Sequence, residues 1–209
     1  MIIQWCVKGI HLPGDDEARQ LIADGDGLHC NWWRKVHQIR PVEVRDKLTP
    51  ANIDRHVNHF EENDPTTGIP FSENSPFISL SAGTVERDVL AATNLVHRAR
   101  KTALWFGTQF GRRDVAYLYT CWVILAPRTA VGIEGVAEEV RDLNAYRRYS
   151  AYQTEGEVAA KIIVPDNQIS HCEKWELRGG NRKKFVKVWT QHNPRFTPPE
   201  ILTNVRELI

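Results

Sequence analysis

The stretch VAYLYTCWVIL, residues 115–125, decides the fold. It is aromatic and β-branched, shows no polar alternation, and follows the turn residues Gly111-Arg112-Arg113-Asp114. A strand that is apolar on both faces must be covered on both sides, so this segment is expected to run through the centre of a sheet. Upstream, TVERDVLAATNLVHRARKTALWFG (84–107) has helical spacing, with Val85, Val89, Ala92, Val96 and Ala99 able to share a face, and reads as two helices. PFISLS (76–81) reads as a short strand after a loop of turn formers over 64–76. Thr49 is a suitable N-cap, and Pro50 a suitable first residue, for a helix over 50–63. CNWWRKVHQIRP (30–41) reads as an aromatic strand ending before Pro41, DDEARQLIADG (15–25) as a short helix with acids in its first turn, and MIIQWCVKGI (1–10) as a first strand.

Downstream, GVAEEVRDLNAY (135–146) is expected to be helical and EVAAKIIVP (157–165) to be a strand stopped by Pro165. KWELRGGNRKKFVKVW (174–189) reads as a hairpin across Gly179-Gly180-Asn181, and Thr197-Pro198 as the start of a tail helix reaching Ile209. Helices early and in the middle, then mostly antiparallel strands, predict an α+β fold in one domain, with its core over about 30–190 and a C-terminal helix within 194–209.

Composition narrows the function classes. The 209 residues suffice for one well-buried domain, and 42% hydrophobic with 25% charged residues is ordinary globular usage. Lys plus Arg (27) nearly balances Asp plus Glu (26), so a pull towards nucleic acid or an anionic membrane must come from a local patch. No apolar stretch is long enough to cross a bilayer, the N-terminus lacks the form of a secretory signal, and Cys6, Cys30, Cys121 and Cys172 are scattered. These features predict a cytoplasmic protein without membrane contact. His56 and His59 lie one helical turn apart but have no third ligand at a metal-binding spacing, so no metal is expected; no GxGxxG or Walker pattern occurs.

Three distant segments carry chemistry: Trp33-Arg34 in the aromatic segment, Phe77 to Ser81 with Ser79 and Ser81, and Glu155-Gly156-Glu157 ahead of an apolar strand. In this order and spacing they resemble the mono-ADP-ribosyltransferase superfamily, in particular its Arg-Ser-Glu class, which includes many bacterial toxins. Leu80 departs from the pattern, standing where threonine is usual. The resemblance spans roughly 30–170 and implies split mixed and antiparallel sheets flanked by helices, with NAD as co-substrate in the cleft between them. It implies that Arg34 clamps the NAD diphosphate with Trp33 and Ser81 beside it, and that Ser79 holds the site together. Glu157 would stabilise the positive charge that develops on the ribose when the nicotinamide bond breaks. Strand alternation would turn Glu155 and Glu157 to the same side.

The acceptor has two readings. A glutamate at the position of Glu155 accompanies modification of protein arginine in this superfamily. Tyr146, Arg147, Arg148, Tyr149 and Tyr152, at the position of the family's acceptor loop, favour a nucleic-acid base instead, because rings stack on bases and arginines meet phosphates. A basic hairpin at Arg178, Arg182, Lys183, Lys184 and Lys187 could guide a polyanion, or could protect an edge strand. By analogy the chain is toxin-like and held by a neutralising antitoxin partner through its C-terminal helix. The contrasting class is an inactive binding module of the same fold.

Overall fold

The computed structural model describes residues 2–35, 46–65, 68–125, 136–139, 156–180, 182–200 and 204–209. Strand β6 (Val115–Leu125) is central, as its doubly apolar pattern requires. On one edge it pairs antiparallel with all of β1 (Ile2–Ile10), from Ile2 opposite Leu125 to Ile10 opposite Tyr117. On the other it pairs with β10 (Ile169–Arg178), which forms the expected hairpin with β11 (Lys184–His192). Tyr117, Leu118, Tyr119, Cys121 and Val123 are at most 2% exposed, so both faces of β6 are covered.

A second group of strands bridges the outer edges of this pair. β3 (Phe77–Ser81) touches β1 at Val7–Ser81 and runs antiparallel to β8 (Glu157–Lys161). β8 pairs with β7 (Val136–Glu139), which lies parallel to the end of β6. β2 (Leu28–His29) and β9 (Ile163–Val164) form a separate antiparallel pair. The fold is α+β with a split sheet, whose two parts meet, among the described residues, only at Val7 and at Ile124–Leu125. Alternation along β3 and β8 divides their side chains. Ile78, Leu80, Val158 and Ala160 enter the main core, while Ser79, Ser81 and Glu157 take the opposite face.

Helix α1 (Asp15–Ala23) forms as expected and buries Ala18 and Ile22. Its Asp15 accepts hydrogen bonds from Tyr117 on β6 and Trp189 on β11, tying the helix to the sheet. Thr49 caps α3 (Pro50–Asn58) by accepting from the Asn52 N–H at 3.2 Å. Helix α4 (Ala99–Gly107) packs its small residues Ala99, Ala103 and Gly107 onto β1 and β6. The contact with β1 is so close that a Cβ on Gly9 would fall 1.8 Å from the Ala103 carbonyl oxygen.

Four expected elements differ. Residues 31–35 form a short helix, α2 (Asn31–Lys35), rather than part of a strand. The Arg34 N–H donates to the Cys30 carbonyl, and the turn buries Trp32 while leaving Trp33 half-buried. Residues 84–97 form a hairpin of β4 (Thr84–Asp88) and β5 (Thr93–His97) instead of a helix. Val85, Val89 and Val96 are 50%, 82% and 52% exposed, so the apolar stripe that suggested a helix has no core to face, and the β-branched residues prefer the ladder. Val136–Glu139 is a strand because it fills the slot between β6 and β8. The tail forms no helix over its last residues: β12 (Asn204–Arg206) runs parallel to β1, and the Gln4 side chain donates to the Arg206 and Glu207 carbonyls. Pro198-Pro199 disfavours helical geometry at its start. The core also reaches beyond the 30–190 span, since β1 supplies the fully buried Cys6 and Val7. No helix among the described residues is long and apolar enough to cross a membrane.

Candidate active site

The split in the sheet opens a cavity of about 260 Å³ beside the β1–β3 junction. β3 and β8 supply Ser79, Ser81 and Glu157, β1 supplies Lys8 and Gly9, α3 and its end supply His56 and Phe60, and α4 supplies Thr102 and Phe106. Glu157 is 8% exposed and opposite Ser81 in the β3–β8 register, which puts it diagonal to Ser79. The Ser79 hydroxyl donates to Glu157 Oε1 at 2.5 Å.

His56 completes this network from α3. The helix turns Ile53, His56 and Val57 inward, and the His56 ring lies 5.6 Å from that of Phe77. Its Nε2 is 3.0 Å from Ser79 Oγ and 3.5 Å from Glu157 Oε1, and its Nδ1 is 2.7 Å from Ser75 Oγ. Ser75 Oγ in turn accepts from the Phe77 N–H at 3.1 Å. One proton arrangement satisfies every member. Ser79 gives its proton to the carboxylate, so its oxygen accepts from His56 Nε2–H, and Nδ1 accepts from the Ser75 hydroxyl. In this arrangement a relay of donors converges on Glu157.

The electrostatics follow. Burial pushes the Glu157 carboxyl up, but the His56 N–H, the Ser79 hydroxyl and the Lys8 charge outweigh it and hold the group below its ordinary 4.5. Glu157 is therefore an ionised carboxylate at neutral pH. Burial pulls the Lys8 ammonium below its usual 10.5, opposed by the charge of Glu157. A half-buried cation and a buried carboxylate share one cavity.

Gly156 sets the height of the carboxylate. It takes a left-handed φ of +59°, and a Cβ there would fall 2.3 Å from the Gly83 carbonyl. The Gly156 carbonyl accepts from the Ala82 N–H at 2.9 Å, so β8 begins at Glu157 itself. Strand alternation thus begins at Glu157, and Glu155, expected on the same side, lies outside the described residues.

Of the residues singled out in the sequence, Ser79, Ser81 and Glu157 come together. Arg34 is exposed on α2 and is not among the cavity-lining residues. Trp33 stacks on the His29 ring at 6.1 Å and meets Trp32 edge-on. Glu155, Tyr146, Arg147, Arg148, Tyr149 and Tyr152 lie outside the described residues. His56 and His59 diverge: His56 enters the cavity network, whereas His59 is exposed and bonds Glu62 at 2.8 Å. Sequence reasoning missed Lys8 and the role of His56. The signals were present, as a lone lysine inside an apolar strand next to a glycine, and a histidine on the apolar face of α3.

No protein-family model matches the chain, and no curated protein matches its sequence. Solved structures do. The chain is similar to EcPltA (TM-score 0.48, 12% identity, 99% of this chain and 93% of that one). It is also similar to a heat-labile enterotoxin variant (TM-score 0.45, 15% identity, 96% of this chain and 81% of that one). With the full-length CARDS toxin the TM-score is 0.45 at 14% identity, over 97% of this chain and 30% of that much longer one.

Proposed function

We propose that this chain is a toxin-like mono-ADP-ribosyltransferase that takes NAD as a substrate and passes its ADP-ribose to an acceptor. The observation that carries the proposal is the buried, ionised Glu157, held by Ser79 and His56 in a cleft that also contains Lys8. The cavity fits the nicotinamide-ribose end of such a substrate. Phe60 and Phe106 offer apolar walls to a flat ring, and Lys8 is the cation available to a diphosphate. In that role Lys8 takes the part the sequence assigned to Arg34.

In the reaction, the bond between the ribose carbon and the nicotinamide nitrogen breaks, and its electron pair leaves with nicotinamide. Positive charge develops on the ribose, and a fixed carboxylate beside it stabilises that charge with little reorganisation. Glu157 Oε1 is committed to Ser79, which leaves Oε2 to accept from a ribose hydroxyl. The acceptor then bonds to the ribose carbon and loses its proton to solvent or to a nearby base. Ser79 itself is unsuited as a nucleophile, because its proton points to the carboxylate and its lone pair meets the His56 N–H.

For the acceptor, the aromatic and basic segment of Tyr146, Arg147, Arg148, Tyr149 and Tyr152 favours a nucleic-acid base, and Glu155 supports protein arginine as the second reading. An enzyme of this class inside a cell needs restraint, and a neutralising protein partner would provide it. Incubation with NAD labelled on its adenylate half tests the whole reading. Release of nicotinamide with label on RNA, DNA or protein is expected. Intact NAD and no labelled product would leave a binding module of the same fold.

A further inference from the structure

Next to the cleft lies a surface strip that the transfer reaction does not use. Phe106, which lines the cavity, is 40% exposed and meets Phe110 edge-to-face with ring centroids 5.0 Å apart. Phe110 is 66% exposed. Gln109, Phe110 and Gly111 have φ of +50°, +58° and +82°, so three successive residues are left-handed, a conformation that disfavours a bulky side chain. The turn is nonetheless tightly built. Buried Thr108 accepts from the Gly111 N–H and donates to the Leu104 carbonyl, and the Phe110 and Arg113 N–H groups bond the Trp105 and Thr108 carbonyls. A strained turn is thus fixed so as to hold a phenylalanine out in water, which core packing does not explain.

Two and three residues on from Phe110 in the chain are Arg112 and Arg113, both exposed. The Arg113 side chain donates to the neutral Gln109 side chain, and neither guanidinium pairs with a carboxylate among the described residues. Across the cleft the character reverses, since Phe60 is followed by exposed Glu61 and Glu62. Along the chain the exposed cations follow directly on the aromatic pair, and Phe106 of that pair lines the cavity that holds Glu157.

We propose that Phe106, Phe110, Arg112 and Arg113 form a docking surface for single-stranded nucleic acid, which delivers an unstacked base to the cleft. The purpose of the surface rests on the transferase reading; its existence does not. Exposed rings accept any base by stacking, and guanidinium groups that pair with no carboxylate among the described residues suit phosphates. The same two cations repel an arginine side chain, so the surface discriminates against a protein-arginine acceptor. A duplex keeps its bases stacked and cannot use the rings.

The test measures binding of a short, fluorescent mixed-sequence strand, as RNA, as DNA and as a duplex, to the full chain and to two variants. Phe110→Asn removes the ring with a residue that tolerates left-handed φ, so the turn is kept. Arg112→Ala with Arg113→Ala removes the cations. The expected result is single strands bound over duplex, and roughly tenfold weaker binding for Phe110→Asn. For the double variant, the slope of log affinity against log salt should flatten by about 1.4, two phosphate contacts at about 0.7 each. NAD cleavage is read on the same preparations and should stay within about twofold. Absence of strand binding by the wild type, unchanged binding by both variants, or label carried only by protein overturns the proposal. Strand binding lost in the variants while no preparation cleaves NAD would keep the docking surface and sink the transferase reading; NAD cleavage without strand binding would do the reverse.

Discussion

Replacing Glu157 by Gln removes one charge and keeps the shape. The carboxylate lies against the cavity, so positive charge on a bound ribose would form within about 4 Å of it, where an effective dielectric of 20 gives about 4 kcal/mol of stabilisation. At 1.36 kcal/mol per decade that is about a thousandfold in rate. Folding should change far less. The amide oxygen still accepts from Ser79, so a charge-assisted bond becomes a neutral one, a loss of about 1 kcal/mol. Relief of a buried charge offsets part of this. The assay is single-turnover release of nicotinamide from NAD, with thermal unfolding on the same sample. A kcat about a thousandfold lower with a Tm within a few degrees is expected. A variant that unfolds like the wild type and turns over within about threefold of it refutes the assignment of Glu157, and with it the electrostatic argument for this cleft.

Lys8→Ala should raise KM for NAD about tenfold or more, while Arg34→Ala leaves KM and kcat unchanged; the reverse pattern would return the diphosphate to Arg34. Gly156→Ala should destabilise the fold by about 2 kcal/mol, because a left-handed φ and a 2.3 Å approach to Gly83 both oppose a Cβ, and equilibrium unfolding in urea reads it. Acid should weaken the fold through Glu157. Its folded value lies below the ordinary 4.5, so its contribution is present above 4.5 and is lost as pH falls through the folded value. Glu157→Gln should flatten the pH dependence of stability in that acid range, and an unchanged slope would show that the carboxyl is not held as described.

The legible parts of the sequence were those where local pattern and tertiary demand agree. VAYLYTCWVIL had to be central because both of its faces are apolar, PFISLS reads as a strand because Ile and Leu alternate with Ser, and EVAAK belongs to an apolar run stopped by Pro165. Ser79 and Glu157 met because antiparallel pairing of those strands brings them together. Errors arose where one pattern fits two structures. The spacing of Val85, Val89 and Val96 suits a helical face, yet that face has nothing to cover, so β-branching decided for a hairpin. Trp32-Trp33-Arg34 suited a strand until burial of Trp32 required a helical turn. Lys8 was overlooked because a charge in an apolar strand reads as an accident until the Val7–Ser81 pairing with β3 brings its strand to the cavity of Glu157.

The position of Lys8 and Glu157 also bears on why the sheet is split. A continuous β1–β3 ladder would bring backbone hydrogen bonds across the gap and leave no room for a ligand at the carboxylate. Here the two strands share only Val7 and Ser81, and α4 closes over β1 at Gly9 to form the far wall. The gap holds a carboxylate and a cation among mostly apolar walls, a poor core and a good site, because a dry carboxylate beside a cation attracts developing charge more strongly than a hydrated one. Both groups are held where burial disfavours their charge, a burial that wins at Lys8 against the charge of Glu157 and loses at Glu157 to its His56, Ser79 and Lys8 partners. Lys8→Met should therefore raise Tm while weakening NAD binding. A fall in both would instead make the lysine a structural partner of Glu157 that helps to hold the two half-sheets together.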